Sequence, residues 1–185
     1  MFVWRNRSLR GLGFSISVLN LFNGILTIVV PLIVLQRLNL GKTVVGLVFS
    51  VQGLTGVVSA ILCGRIDSRN RERMMLALPM FGMGLATMML FLKLNFAALV
   101  FVMAVTGALN GPLDIALFTL RQRRTDPAWT GRAFAVSMSF NALGLPLGSV
   151  LAGVIAARSP EVAILFGAVA SVIAGGIATW MIPAE

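Results

Sequence analysis

The chain has 185 residues, 58% of them hydrophobic and 11% charged, and carries a formal net charge of +9. A soluble domain of this size could not hide so much apolar surface in one core, whereas a membrane protein can, because lipid covers it. Histidine is absent and Cys63 is the single cysteine. That excludes His-based zinc sites, Ser-His-Asp triads, Cys-His dyads and any intrachain disulfide. No Gly-x-x-x-x-Gly-Lys-Ser/Thr phosphate loop occurs either. The expectation is an all-α membrane protein that is not an enzyme, with no metal and no cofactor.

Taken in chain order, Met1–Arg10 is basic, but the apolar run after it is too long for a signal-peptide core and lacks a cleavage site. It reads as the first of six spans: Leu12–Leu35, Thr43–Cys63, Met74–Leu92, Phe96–Leu120, Ala133–Ala157 and Val162–Ile182. Each approaches or exceeds the roughly 20 residues an α-helix needs to cross a bilayer core. In lipid these must be helices, since every backbone polar group needs an internal partner. The chain is read as one six-helix domain over residues 1–185.

The basic residues are topogenic. Arg5, Arg7 and Arg10 precede span 1, Arg65, Arg69, Arg71 and Arg73 follow span 2, and Arg121, Arg123, Arg124 and Arg132 follow span 4. Only Arg37, Lys42, Lys93 and Arg158 fall on the other side. This bias predicts a multi-pass protein of the inner (plasma) membrane with both termini in the cytoplasm. Trp4, Trp129 and Trp180 fall at the same boundaries, where amphipathic rings anchor. The arginines form no basic stripe with interleaved aromatics, so nucleic acid is not expected as a partner.

Span 2 ends Ala60-Ile61-Leu62-Cys63-Gly64-Arg65-Ile66, and span 5 ends Ser149-Val150-Leu151-Ala152-Gly153-Val154-Ile155. The shared pattern predicts two three-helix repeats, the second inverted because three is odd, as in secondary transporters. Gly107/Gly111 and Gly144/Gly148 are Gly-x-x-x-Gly pairs that allow close helix approach. Pro31, Pro79, Pro112 and Pro146 lie within spans and invite kinks.

Polar groups concentrate in spans 1 and 4. Ser17, Asn20, Gly24 and Thr27 share one helical face with Asn23 beside it, and Gly107, Asn110, Gly111 and Asp114 share another. Asp114 is the only acid within a span, roughly 10 Å below the cytoplasmic boundary at 1.5 Å per residue. Such a charge should face the bundle or a wet cavity. Asn20, Asn23, Asn110 and Asp114 are therefore candidates for substrate or proton contact. The alternatives are interhelical hydrogen bonds for the asparagines, and for Asp114 an ion pair with an Arg or bonding to backbone loosened near Pro112. Gln52 reads as packing.

Two segments resemble a known family. Cys63–Arg73 resembles a degenerate form of the loop motif of the major facilitator superfamily, with Gly64 and Arg73 inside it, Asp67 matching its Asp and Arg71 its Arg. Ser68, Asn70 and Glu72 depart from the motif, and Cys63 stands at its first Gly. The stretch from Leu120 to Phe134, with Gln122, Pro127, Gly131 and Arg132, resembles the loop between the tenth and eleventh helices of multidrug, macrolide and siderophore exporters in that superfamily. Gly144-Leu145-Pro146-Leu147-Gly148-Ser149 resembles the helix that follows.

The resemblance covers the chain as the C-terminal six-helix half of a twelve-helix transporter. It implies export of small lipophilic or amphipathic molecules by alternating access, a proton as coupling ion, and a first and fourth helix lining the cavity. It also implies a partner: a second six-helix half supplied by a separate chain, a missing N-terminal portion or a second copy. Asp67 and Arg71 would then form a latch at the interface between halves. The rival expectation is a truncated or non-transport scaffold or assembly protein, whose polar residues would be buried in a filled core.

Overall fold

The computed structural model describes residues 7–65, 71–125 and 130–183. All regular structure among them is helical. Helix α1 is Arg7–Leu32, continued by a π-helical turn, Ile33–Arg37; α2 is Lys42–Cys63; α3 is Glu72–Leu92; α4 is Phe96–Arg123; α5 is Thr130–Ala142; α6 is Gly144–Ala156; and α7 is Pro160–Met181. Six segments are long and apolar enough to cross a membrane, α5 and α6 together supplying the fifth.

The helix ends follow from capping chemistry rather than hydropathy alone. Asn95 caps α4 by accepting from the Ala98 N–H at 2.7 Å, and Ser159 caps α7 by accepting from the Val162 N–H at 3.3 Å. Pro160, whose missing N–H costs nothing there, opens α7. Arg121 and Arg123 in the last turn of α4 favour its dipole. That helix runs three residues past the expected span, and α1 starts five residues before it. In both cases polar and basic residues extend the helix beyond the apolar run.

Prolines remove backbone hydrogen bonds in three of the spans, with different outcomes. Pro31 cannot donate to the Thr27 carbonyl; α1 then widens into a π turn, closed by the Leu38 N–H to Ile33 O at 2.9 Å. Asn39 ends that segment in the left-handed region, at φ 51°. Pro112 frees the Ala108 carbonyl in α4, and the Ser59 hydroxyl of α2 donates to it. Pro146 interrupts the fifth span. Where one continuous span Ala133–Ala157 is expected, the structure has two helices meeting at Leu143. The carbonyls of Phe140 and Asn141 at that break are met from α1, by Ser17 Oγ at 3.3 Å and Asn20 Nδ2 at 2.9 Å.

The packing order around the bundle is α2, α4, α3, α7, α1 and then α5/α6. This arrangement is symmetric if the first, second and third spans are exchanged with the fourth, fifth and sixth. Span 1 lies on span 5 as span 4 lies on span 2; span 1 lies on span 6 as span 4 lies on span 3; and spans 3 and 6 face each other. The expected inverted repeat is therefore present in the contacts. Both equivalent crossings are glycine-lined. A Cβ at Gly148 would sit 2.1 Å from the Leu21 carbonyl oxygen, one at Gly144 2.1 Å from that of Ser17, and one at Gly107 2.1 Å from that of Gln52. No side chain fits at those distances, so the Gly-x-x-x-Gly pairs are what let these backbones touch.

The apolar core runs along the closed side of the arc, through Leu12, Phe22, Val29, Leu76, Met83, Leu99, Met103 and Ile164. Ser171 of α7 donates to the Met80 carbonyl of α3 at 2.7 Å within it. On the opposite side α1 makes little contact with α2 or α4, and a groove opens there.

Candidate functional site

The groove lies between α1 and α5/α6 on one side and α2 and α4 on the other. It has two connected parts. One, of about 260 Å³, is lined by Asn20, Asn23, Asn110, Asp114, Arg121 and Asn141 with apolar neighbours. The other, of about 410 Å³, is lined by Asn23, Thr27, Gln52, Gly53, Asn110 and Leu145 among others. Asn23 and Asn110 belong to both and mark the midpoint.

That midpoint coincides with the repeat symmetry. Asn23-Gly24 in α1 and Asn110-Gly111 in α4 are the same dipeptide, 87 residues apart. The two glycines do the same work. A Cβ at Gly24 would meet the Ser149 nitrogen at 2.9 Å, and one at Gly111 would meet the Ser59 hydroxyl at 2.4 Å. Both serines donate to a carbonyl across the crossing, Ser149 to Gly24 at 3.2 Å and Ser59 to Ala108. The glycine turned into the crossing places the asparagine before it on the groove side. Sequence reasoning placed Asn23 and Asn110 on polar faces but matched only spans 2 and 5; the recurring Asn-Gly was the available signal.

The four polar candidates of spans 1 and 4 divide by their partners. Asn20 is tied into the bundle through the Asn141 carbonyl. Asn23, Asn110 and Asp114 have no side-chain hydrogen-bond or ion-pair partner among the described residues. Asp114 is exposed and Asn23 and Asn110 half-exposed in the groove. The alternative in which Asp114 pairs with an arginine is not what the structure shows. Ion pairs seen among the described residues include Arg123–Glu72 and Arg37–Glu161, and neither involves Asp114. Gln52, expected as packing, donates to Thr106 Oγ1 at 3.4 Å and also lines the groove.

Arg121 was grouped with the topogenic arginines, yet its side chain is only 1% exposed. It closes the Arg-rich end of the groove. With the Asn141 amide turned so that both of its polar atoms are satisfied, Arg121 Nη2 donates to the Asn141 side-chain oxygen at 2.9 Å and the Asn141 amide nitrogen donates to the carbonyls of Ser137 and Gly13. The Phe134 ring lies 5.2 Å from the guanidinium carbon, within cation–π range. Arg121 Nε has no hydrogen-bond partner among the described residues. One sequence signal marked it: Arg121 follows Asp114 by seven residues, two helical turns, and so shares its face.

The loop candidates fall differently. Gly64 follows α2 as its cap, Arg71 is exposed as the residue before α3, and Arg73 is half-buried in the first turn of α3. Gln122 is exposed near the end of α4, and Gly131 is the second residue of α5, where an added Cβ would meet none of the described residues within 4 Å. Asp67, Pro127, Trp4 and Trp129 lie outside the described residues, as does the side chain of Arg132. Trp180 is 75% exposed near the end of α7.

Comparison with known proteins agrees with this architecture. The sequence profile of the Major Facilitator Superfamily matches residues 12–185. An uncharacterized MFS-type transporter of Sinorhizobium fredii is 37% identical over 185 residues, covering 99% of this chain and 45% of that protein. The chain thus spans less than half the length of that relative. With a matching profile over nearly its whole length, six spans and an inverted three-helix repeat, this chain belongs to the major facilitator superfamily as a six-helix half.

Proposed function

We propose that the chain is the C-terminal half of a secondary active transporter that exports small lipophilic or amphipathic molecules by alternating access. A second six-helix half, on another chain, on a further stretch of this polypeptide or from a second copy, closes the groove into a cavity. The observation that carries this reading is the pair Asn23 and Asn110: related by the repeat, unpartnered, and facing open space at the midpoint of the bundle. Substrate sites of repeat-built transporters sit at such repeat interfaces near the bilayer midplane. Asn23 and Asn110 then contact substrate, Asp114 carries the coupling proton, and Arg71 with Asp67 meets the other half. The protein lies in the inner (plasma) membrane with both termini in the cytoplasm, a placement supported by the arginine bias.

The test is water access. In a Cys63→Ser background, Asn23→Cys, Asn110→Cys and Ser171→Cys are made singly and treated in native membranes with a charged methanethiosulfonate reagent. Positions 23 and 110 react and position 171 does not. Equal inertness at all three would mean a filled core, as in a scaffold protein, and would sink the transport reading. Asp114→Asn then addresses coupling: unchanged proton-driven efflux at normal expression removes Asp114 from that role.

A further inference from the structure

The two parts of the groove differ in charge. The part toward Arg121 holds both Asp114 and Arg121. In the part away from it, of about 410 Å³, none of the described residues in the lining is ionisable. That volume lies within the range of pockets that hold small molecules, about 300–1,000 Å³. Its polar lining is dominated by carboxamides. Asn23 reaches it from α1 and Asn110 from α4, neither with a side-chain partner among the described residues. Gln52 of α2 donates through Nε2 to Thr106 Oγ1 at 3.4 Å, and its oxygen has no partner among the described residues. The Thr27 hydroxyl is already given to the Asn23 backbone carbonyl at 2.9 Å. Leu26, buried, and Phe49, half-buried, supply apolar surface beside the amides. At Gly53 in the same lining an added Cβ would meet none of the described residues within 4 Å.

We infer that this part of the groove binds the uncharged, amide-bearing end of an amphipathic substrate, an inference that rests on the transport reading above. A carboxamide carries a donor and an acceptor side by side. The edge of a cis amide in a ring carries the same pair, so the two meet in a planar double hydrogen bond. Asn23 and Asn110 present one such edge from each side, and the Gln52 oxygen takes a further donor. A charged end would leave water with no counter-charge in the described lining, a cost that neutral hydrogen bonds do not offset. A purely apolar end would strand the amides without partners. A site built to hydrogen-bond its ligand rejects the analogue that lacks those groups, because its own polar atoms are then left unpaired. The apolar ring face of the ligand rests against Leu26 and Phe49.

The experiment uses the full chain in native membranes, with Cys63→Ser and Gly53→Cys, and follows labelling of position 53 by uncharged N-ethylmaleimide. Three probes of matched composition are compared: the cyclic dipeptide of leucine and phenylalanine, its N,N′-dimethylated form, and the linear zwitterionic dipeptide. The cyclic dipeptide slows labelling. The dimethylated ring, which has lost its donors, needs about ten times the concentration for the same protection, and the linear dipeptide protects no better. Thr43→Cys, exposed at the start of α2 and outside the groove, labels equally with and without every probe. Asn23→Leu with Asn110→Leu abolishes the protection while the rate without probe stays the same. Labelling that no probe slows overturns this inference and leaves the open groove standing. Equal protection by all three probes overturns it too, as does protection that survives the double substitution. No labelling at position 53 would mean a filled groove and would remove the transport reading as well. If the double variant does not fold, Asn23→Leu alone is read the same way, with a partial loss expected, and Asn23→Gln is expected to keep part of the protection.

Discussion

The closed and open sides of this bundle are built from the same helices and teach opposite lessons. On the closed side, and at the glycine crossings, backbones approach until no Cβ fits, and each hydroxyl there has a carbonyl to meet. Along the groove, the side chains of Asn23, Asn110 and Asp114 have no hydrogen-bond or ion-pair partner among the described residues. Lipid supplies no hydrophobic drive between helices, so association depends on close contact and cross-helix hydrogen bonds. The crossings therefore hold the molecule together, and the groove is free to keep unsatisfied polar groups. In an apolar chain, a polar side chain with no protein partner is the costlier feature and the more informative one.

The largest effect expected from this contrast is at a crossing. Gly148→Leu drives a side chain into the Leu21 backbone and is expected to cost about 3 kcal/mol or more, read as a fall in thermal unfolding temperature in detergent. Gly153→Leu, where a Cβ meets nothing within 4 Å, should leave that temperature unchanged. Comparable losses in both would mean the crossings are not specific.

An intermediate effect separates two asparagines on the same face. Asn20→Leu removes the donor to the Asn141 carbonyl at the break in the fifth span and should destabilise by about 1–3 kcal/mol. Asn23→Leu removes no bond and should stay within about 0.5 kcal/mol, while eliminating substrate binding if the groove is used as proposed. A large stability loss at Asn23 would place it in a packed interface.

The smallest effect is at the rim. Arg37→Gln breaks the pair with Glu161, whose side chains are 49% and 34% exposed. Its cost should be about 0–1 kcal/mol and should shrink with added salt, as urea-induced unfolding at two ionic strengths would show. A salt-independent loss above that range would mean the pair also holds the π turn.

The six spans were legible because hydropathy alone forces them. Their ends were less so, since Ser8–Gly11 and Gln122–Arg123 are helical although not apolar. Pro146 announced a kink, but the clean division of the fifth span depends on Ser17 and Asn20, donors from another helix that no local pattern reveals. The Gly-x-x-x-Gly pairs were readable as contact sites; which helices they touch was not, because that is set by topology. Arg121 was hidden by its position: an arginine at the end of an apolar run looks like a boundary marker whether it points outward or inward. Only its turn-by-turn alignment with Asp114 hinted that it points in.

The Asn-Gly recurrence has one further consequence. Were the two repeats identical, a groove centred on their axis could open toward either face at equal energy, and neither direction would be preferred. Counting on from the two asparagines, the first repeat has Thr27 where the second has Asp114, and Val34 where the second has Arg121. One end of the groove is thus ionisable and the other is not. That mismatch makes the two ends of the groove unequal, and under the proposed transport function it is where a proton gradient or a change of pH would set which way the molecule rests.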